Sequence, residues 1–244
     1  MSEGNEIDLA VKAEDREADA GLVRRALAVH WRLLEFYGQP VWRHPASPIE
    51  ELVDTILSQN TNDRNRDAAF NRLRERFPTW EQVRDAPPAE VVAAIRTAGL
   101  ANQKGPRIQQ VLREISAERG SFDLEFLRNL PVEEARAWLK KFKGVGPKTA
   151  AIVLLFSLGR PAFPVDTHIH RVAGRIGLIP PKMSAEQAHV VLERLFPPEA
   201  YYAAHLNLIR LGREKCHPRK PECSTCPVLE YCEYGQKAAR SGNP

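Results

Sequence analysis

The chain has 244 residues, of which 43% are hydrophobic and 27% charged, a composition typical of a globular protein with one or two domains. No apolar run approaches the ~20 residues needed to cross a bilayer, and the N-terminus lacks a secretory signal pattern, so we expect no membrane association and a cytoplasmic, nucleoid-associated protein. The net charge of +4 is uneven: residues 1–20 carry seven acidic and two basic side chains, whereas the other 224 carry 24 acidic and 33 basic ones, which favours a polyanionic partner.

The elements predicted in chain order are all helices. Residues 1–20 are acidic and lack periodicity, and we predict a disordered tail there. We expect a second disordered tail over residues 237–244. Apolar spacing and capping patterns between the two tails predict helices over 23–37, 48–59, 64–77, 88–97, 106–118, 131–141, 147–158, 168–174, 184–195 and 200–212, with a short one beginning at Thr79. No strand pattern is present, so the predicted fold class is all-α.

A turn with two glycines joins the helices predicted over 131–141 and 147–158. Gly144 and Gly146 flank Val145, and Pro147 occupies the first helical position, where its missing N–H costs nothing. Such a hairpin directs backbone N–H groups and the positive end of a helix outward. This arrangement is typical of a site for an anion such as phosphate.

Lys148 and Asp166, eighteen residues apart, form a candidate catalytic pair. A neutral lysine amine is a nucleophile that forms Schiff bases. The helix carries the chain away by roughly 18 Å and residues 159–165 can return roughly 23 Å, so the two side chains can meet. Taken singly, a lysine near a glycine turn is most often a solvated cation, and an aspartate before a helix is most often only a cap.

Two loops carry further candidate contacts. Residues 58–63, SQNTND, include Gln59 and Asn60, whose amides either complete a turn or bond to exposed base edges. In the loop over 99–105, Leu100 either enters a DNA duplex as a wedge or packs underneath, and Lys104 adds a positive charge.

All four cysteines lie in one 17-residue segment, in the order Cys216-x6-Cys223-x2-Cys226-x5-Cys232. Four thiols so confined favour a metal site over a disulfide framework, and they suit either structural zinc or an iron–sulfur cluster. Only one close pair is present, which favours the cluster. A clamped loop between the first two cysteines would hold Arg219 and Lys220 outward toward phosphates, although a solvated loop is the alternative.

Three patterns taken together resemble the endonuclease III family of helix-hairpin-helix DNA glycosylases: GVGPKTA at 144–150, VDTH at 165–168 and the cysteine spacing. The resemblance covers residues from about 22 to 235. It implies a six-helix barrel over 45–158 and a second helical domain, formed by 21–44 with 159–236, that holds a 4Fe–4S cluster. It also implies an active site and DNA groove between the two domains, and we expect a monomer.

The resemblance further implies base excision repair with strand cleavage. Lys148 matches the nucleophile that attacks C1′ of a flipped-out nucleotide, releases the base and forms a Schiff base from which β-elimination follows. Asp166 matches the carboxylate that helps to deprotonate this lysine and stabilises charge on the sugar. The partner would be duplex DNA with a damaged base or abasic site, and oxidised pyrimidines are the typical substrates. The expected cluster ligands are Cys216, Cys223, Cys226 and Cys232, and the expected DNA contacts are Gln59, Asn60, Leu100, Lys104, Lys143, Gly144, Val145, Gly146, Arg219 and Lys220.

The chain departs from the family pattern in three respects, of which the first is that the acidic segment over residues 1–20 is extra. SQNTND stands where SAQATD is common, so Asn60 takes the place of the gap-filling glutamine and Gln59 precedes it. Lys143 replaces a proline. Two alternatives stay open: a glycosylase for mismatched or alkylated bases without lyase activity, against which Lys148 argues, and a non-catalytic DNA-binding protein with a four-cysteine zinc site.

Overall fold

The computed structural model describes residues 3–41 and 46–240, with side chains from residue 19 onward. The regular elements in these ranges are all helices, which confirms the predicted all-α class. Within the same ranges no helix combines the length and apolarity that a bilayer crossing requires. The chain divides into two units, which we call unit 1 (Met1–Val41 with Val165–Pro244) and unit 2 (Trp42–Pro164).

Unit 2 is formed by one continuous stretch of chain. Its last α-helix continues as a π-helical segment, Val153–Ser157, and short 3₁₀ turns occur at Arg96–Ala98 and Glu125–Asn129. Its α-helices are α2 (Pro48–Ser58), α3 (Asp63–Arg76), α4 (Trp80–Asp85), α5 (Pro88–Ala94), α6 (Ala101–Arg119), α7 (Val132–Lys140) and α8 (Pro147–Ile152).

Helix α2 shows how the sequence builds the core of unit 2. It starts at a capping box, in which the Glu50 N–H donates to Ser47 Oγ (3.4 Å) and the Ser47 N–H donates to Glu50 Oε2 (3.0 Å). Its apolar residues recur at helical spacing and face α3, α6 and α8. Each buried aliphatic side chain contributes about 1.5–3 kcal/mol. The buried aliphatic residues of α2 are Ile49, Leu52, Val53, Ile56 and Leu57.

The boundary between the units lies later than the sequence predicts. Residues 159–164, expected in the cluster domain, pack with unit 2. The Arg160 guanidinium donates to the carbonyl oxygens of Arg128 and Leu130, the latter at 2.9 Å, and Ala162 is fully buried in the unit 2 core. These contacts hold the segment against unit 2 as far as Pro164.

Unit 1 joins the N-terminal helix to the C-terminal part of the chain. Its helices are α1 (Glu3–Tyr37), α9 (Thr167–Ile176), α10 (Ala185–Leu195), α11 (Tyr201–Glu214) and α12 (Glu233–Arg240). Helix α1 buries Ala26, Val29 and Leu33 and packs against α10 and α11. Arg25 of α1 donates to Gly177 O (3.3 Å) and to Glu233 Oε1 of α12 (2.6 Å).

The structure differs from the prediction for both tails. The backbone is helical from Glu3, so most of the acidic segment over 1–20 belongs to α1, and residues 237–240 belong to α12. Alanine, glutamate, lysine and leucine are strong helix formers, and the segment extends a helix anchored by buried residues further along. The sequence analysis missed this helix because residues 1–20 show no apolar stripe at helical spacing. Residues 1–2 and 241–244 lie outside the described residues.

Two carboxylates of α2 are held in a partly buried position. Burial, and then the neighbouring Asp54, raise the pKa of Glu51 to about 7, against the opposing attraction of Arg66. Burial likewise raises the pKa of Asp54 to about 6, although Arg66 Nε lies 3.4 Å from Asp54 Oδ2. The folded state therefore holds protons that the unfolded chain has already released.

We expect the Glu51→Gln variant to be more stable than the wild-type protein at pH 8 by about 1–2 kcal/mol, and equally stable near pH 4.5. Glu51 has an ordinary pKa of 4.5 and a folded pKa of about 7, so its contribution to stability falls as the pH rises through that window and stays low above it. Thermal midpoints should differ by a few degrees. Glu75→Gln, at an exposed position of α3, is the control. A gain that is equal at both pH values would contradict the assignment.

Candidate active site and metal centre

Lys148 lies at the second position of α8, directly after the hairpin. Gly146 is the N-cap residue and Pro147 the first helical residue, as the sequence indicates. The Lys148 side chain is half-buried. In the described residues no backbone acceptor is found for the N–H groups of Gly144 and Gly146. These donors therefore remain free for an anion beside the lysine.

Val145 does not contribute its side chain to this surface. It was expected among the DNA contacts, but it is 4% exposed and belongs to the unit 2 core. Its N–H donates to Phe142 O at 3.0 Å, which closes the turn. Val145 therefore anchors the hairpin to the core of unit 2. The surface that could contact a ligand is formed by its neighbours, among which Lys143 is exposed.

Asp166 is the N-cap of α9 in unit 1. Its Oδ1 accepts a hydrogen bond from the Ile169 N–H at 2.8 Å. No partner for Oδ2 is found among the described residues, and the side chain is half-buried. One oxygen of the carboxylate therefore fixes the helix terminus while the other stays available for chemistry. The pairing of Asp166 with Lys148 stays a prediction.

Asn60 and Leu100 occupy two exposed tips of unit 2. Asn60 has φ +52° and Leu100 has φ +49°, a left-handed conformation that non-glycine residues seldom adopt. Leu100 is 48% exposed, so it does not pack underneath its loop. Strained, exposed side chains of this kind persist where the surroundings hold them, and they are often functional.

Lys104 was predicted as a DNA contact, and the structure contradicts this. It is 1% exposed, and its ammonium donates to Leu57 O (2.7 Å) and Ala98 O (2.8 Å). Burial, and then the nearby Arg107 guanidinium, lower the pKa of this ammonium. The error arose because α6 begins at Ala101 and not at Pro106, which turns Lys104 inward on the first helical turns.

Gln59 is held inside unit 2 and does not project outward as an intercalating side chain would. Its Nε2 donates to Gly144 O and its Oε1 accepts from Arg107 Nη1, each at 3.1 Å. Arg107 is a site residue that the sequence analysis missed. No motif marks it, because its role depends on a contact across 37 residues with the hairpin. The Arg107 side chain occupies the space above Gly144, where an added Cβ would lie 2.2 Å from Arg107 Cδ.

We expect Gly144→Ala to destabilise the protein by about 1–3 kcal/mol and Gly146→Ala to change stability by less than about 0.5 kcal/mol. Gly144 has φ +89° and faces Arg107, whereas Gly146 has φ −93° and nothing within 4 Å of an added Cβ. Chemical denaturation of both variants measures the difference. Equal destabilisation by the two substitutions would show that the conformation at Gly144 is not the constraint.

The four cysteines line one cavity in unit 1. It is partly open to solvent. All four thiols are free of disulfides. Burial raises the pKa of Cys226 to about 11, and burial also raises the pKa of Cys223 and Cys232. Thiolates in such a place need neighbouring positive charge.

Hydrogen bonds from unit 1 converge on the cysteine segment. Arg175 of α9 donates to Cys216 Sγ (3.3 Å), His217 O (2.6 Å) and Pro218 O (2.8 Å). The Gly235 N–H donates to Cys232 Sγ at 3.4 Å. Arg175, also missed from the sequence, thus ties the first cysteine to the loop that bears Arg219 and Lys220, both of which are exposed.

Comparison with known proteins decides the family. A model described as HhH-GPD superfamily base excision DNA repair protein matches residues 53–198, and one for the iron–sulfur binding domain of endonuclease III matches residues 216–232. Endonuclease III of Thermotoga maritima is 30% identical over 79% of this chain and 86% of its own length. That of Sulfolobus acidocaldarius is 34% identical over 75% and 80%. The chain belongs to the endonuclease III family.

Further similarities agree with this family. A protein of Arabidopsis thaliana named as a DNA glycosylase is 40% identical over 76% of this chain, an alignment that spans 66% of that protein, just under two thirds of its length. A solved non-covalent endonuclease III–DNA complex matches with a TM-score of 0.77 and 27% identity over 89% of this chain and 98% of the solved one. A trapped covalent endonuclease III–DNA intermediate matches at 0.73 and 29%, over 88% and 99%.

As a member of the endonuclease III family, the protein is a bifunctional DNA glycosylase and AP lyase that binds DNA, and its cysteines hold a 4Fe–4S cluster. The cysteine cavity fits this cluster. No group of three or more histidine, cysteine, aspartate or glutamate side chains in the described ranges could hold a single metal ion. Four free thiols around one cavity are the donor set that a 4Fe–4S cluster takes.

Proposed function

We propose that this enzyme excises oxidised pyrimidines from duplex DNA and cuts the strand by β-elimination, with Lys148 as the nucleophile and Asp166 as the catalytic carboxylate. The observation that carries the proposal is the position of Lys148, half-buried in the first turn of α8, next to the free N–H groups of Gly144 and Gly146. A backbone phosphate bound by those donors would bring the neighbouring sugar close to the lysine amine.

The reaction proceeds from the neutral amine of Lys148. Its nitrogen attacks C1′, the bond between C1′ and the base breaks, and the base leaves with the bonding electrons and takes up a proton. The nitrogen then loses one proton, its lone pair forms the C1′=N bond as the C1′–O4′ bond breaks, and O4′ takes up a proton, which leaves a protonated imine. This imine acidifies the C2′ proton. Removal of that proton and departure of the 3′ phosphate create a C2′=C3′ double bond and cut the strand.

Asp166 supports this chemistry through the oxygen that the helix does not use. Oδ1 is bound to the Ile169 N–H, which fixes the direction of the carboxylate, and Oδ2 accepts the proton from the attacking amine. The same negative charge stabilises the positive charge that develops on the sugar as the base leaves. We expect both roles to be lost in an asparagine variant whose fold is unchanged.

The remaining contacts divide between backbone and base recognition. Lys143, Arg219 and Lys220 are exposed cations that bind phosphates without regard to sequence. Asn60 and Leu100, on their strained exposed tips, fill the gap left by the flipped nucleotide. The 4Fe–4S cluster supplies structural cross-linking of the loop that carries Arg219 and Lys220.

A panel of duplexes tests the function. The wild-type enzyme is incubated with DNA holding thymine glycol, a G·T mismatch, an alkylated adenine or no lesion, and products are separated with and without hot alkali. We expect cleavage without alkali, and a covalent complex after borohydride, with thymine glycol. Preference for the mismatch or the alkylated base would overturn the substrate class, and cleavage only after alkali would overturn the lyase step.

The mismatch belongs in the panel for a structural reason. A solved thermostable thymine-DNA glycosylase matches this chain with a TM-score of 0.74 over 88% of it, at 22% identity, which shows a shared fold alone. The same frame therefore accommodates different bases. We propose in addition that the enzyme acts as a monomer in the nucleoid. Light scattering checks the oligomeric state. The protein should have a mass of 27.5 kDa when free, and the same mass in its DNA complex once the mass of the duplex is subtracted.

A further inference from the structure

Gln59 and Arg107 connect the hairpin of unit 2 to the helices around it. The Gln59 amide uses both ends: Nε2 donates to the Gly144 carbonyl and Oε1 accepts from Arg107 Nη1, each at 3.1 Å. Arg107 lies over the Gly144 Cα, as its Cδ and Nε would stand 2.2 and 2.5 Å from an added Cβ. The hairpin is therefore held at Gly144, by a hydrogen bond from Gln59 and by van der Waals contact with Arg107.

The same bridge reaches the base of both exposed tips. Gln59 immediately precedes Asn60, whose φ of +52° turns its side chain outward. Arg107 lies on α6, the helix that Leu100 precedes as the N-cap residue. One turn before Arg107, the buried Lys104 ammonium binds Leu57 O and Ala98 O, the carbonyl groups just before the two tips. These two sets of hydrogen bonds are joined by the short backbone stretches from Leu57 to Gln59 and from Lys104 to Arg107, so the hairpin and both tips are held by the same parts of the chain.

We propose that Gln59 and Arg107 are positioning residues, which hold the Gly144 hairpin in register with the Asn60 and Leu100 tips before DNA binds. This inference rests on the proposed function, in which the hairpin binds phosphate and the tips fill the gap. Neither residue needs to touch DNA. A hairpin fixed in advance avoids an ordering cost on binding and keeps Lys148, four residues beyond Gly144, in a reactive position.

Amide hydrogen exchange and DNA binding test the bridge. Exchange at residues 143–146 and Kd for a duplex with a reduced abasic-site analogue are measured for wild-type protein, Gln59→Ala, Arg107→Ala and the double variant. We expect exchange at the hairpin to be at least about tenfold faster and Kd about tenfold higher in each single variant. The double variant should be no worse than the weaker single one, because either substitution breaks the same bridge.

Two further variants separate positioning from other roles. Arg107→Lys should restore part of the protection at the hairpin, since the cation can still reach Gln59 Oε1. Arg113→Ala removes an exposed arginine of the same helix that donates to Arg84 O, and it should leave exchange and Kd unchanged. Thermal midpoints of the single variants should stay well above the assay temperature, which keeps local opening distinct from unfolding.

Three outcomes would overturn the proposal. Unchanged exchange at residues 143–146 would mean that the bridge does not hold the hairpin. Additive losses in the double variant would mean that the two residues act separately. A weaker Kd for Arg107→Ala with a salt dependence reduced by about one charge would make Arg107 a direct phosphate contact. Hydrogen exchange and Kd are measured without catalysis. Their outcome can therefore be distinguished from a failure of the borohydride assay, which would refute the proposed function.

Discussion

Replacing Lys148 with glutamine is expected to abolish the borohydride-trapped complex with abasic-site DNA and to lower strand cleavage by about a thousandfold or more. The amide nitrogen of glutamine is not a nucleophile, so no imine forms and the C2′ proton keeps its ordinary acidity. Lys148 is half-buried at the second helical position and makes no hydrogen bond within the described residues that glutamine would disrupt. Stability and the Kd for the same duplex should therefore change little.

Two companion variants make this result specific. Lys182→Gln removes an exposed lysine of unit 1 and should trap as efficiently as the wild-type protein. Asp166→Asn keeps an oxygen that accepts from the Ile169 N–H, and asparagine is as good an N-cap as aspartate, so the fold should persist while trapping slows by about a hundredfold. A covalent complex that survives in Lys148→Gln would move the nucleophile to another residue.

Cys223→Ser is expected to lose the cluster, with bound iron falling from about four atoms per chain toward zero and with poor solubility of what remains. The reason lies in the segment itself. From Cys216 to Cys226 no residue is buried, and its one regular element is the turn Cys223–Thr225. An apolar core therefore does not hold this segment, and metal–sulfur bonds supply the folding energy that burial supplies elsewhere.

Iron and sulfide analysis measures the loss of the cluster, and the Kd for abasic-site DNA measures its consequence for DNA binding. Affinity should fall at least about tenfold, because Arg219 and Lys220 stand in the loop that the cluster closes. Ser224→Ala, at the exposed neighbour of Cys223, is the matched control and should bind iron and DNA as the wild-type protein does. Full iron content in Cys223→Ser, or zinc in place of iron in the wild-type protein, would contradict the cluster assignment.

The features that the sequence predicts correctly are those that depend on residues close together in the chain. A glycine pair before a proline fixes a turn, an aspartate before a helix fixes a cap, and four cysteines within 17 residues restrict the ligand without regard to the rest of the fold. The capping boxes at Ser47 and Ser184 likewise set helix starts at the places observed. In each case the chemistry acts between residues a few positions apart, which the sequence displays directly.

Lys104 and Gln59 are residues whose contacts could not be predicted from the sequence. The sequence assigns Lys104 to DNA because it lies in a polar, basic loop, and Gln59 because its loop is rich in amide and hydroxyl side chains. Their real partners are the carbonyl groups of Leu57, Ala98 and Gly144, distant in sequence for all but one of these contacts. Backbone carbonyls leave no trace in the residue types, so a lysine that completes helix ends and one that binds phosphate look alike until the helix start at Ala101 is known.

The division of unit 1 into two distant stretches of chain affects how the protein is made. Residues 42–164 emerge from the ribosome as one continuous block that contains its own core and can fold during synthesis. Helix α1 precedes unit 2 in the chain, yet α10 and α11, the helices it packs against, follow more than 140 residues later. Until then its apolar face has no partner within its own unit, and the four cysteines from Cys216 to Cys232 follow α11 in the chain. The cluster can therefore be inserted only after all of unit 2 and the partner helices α10 and α11 have been synthesised.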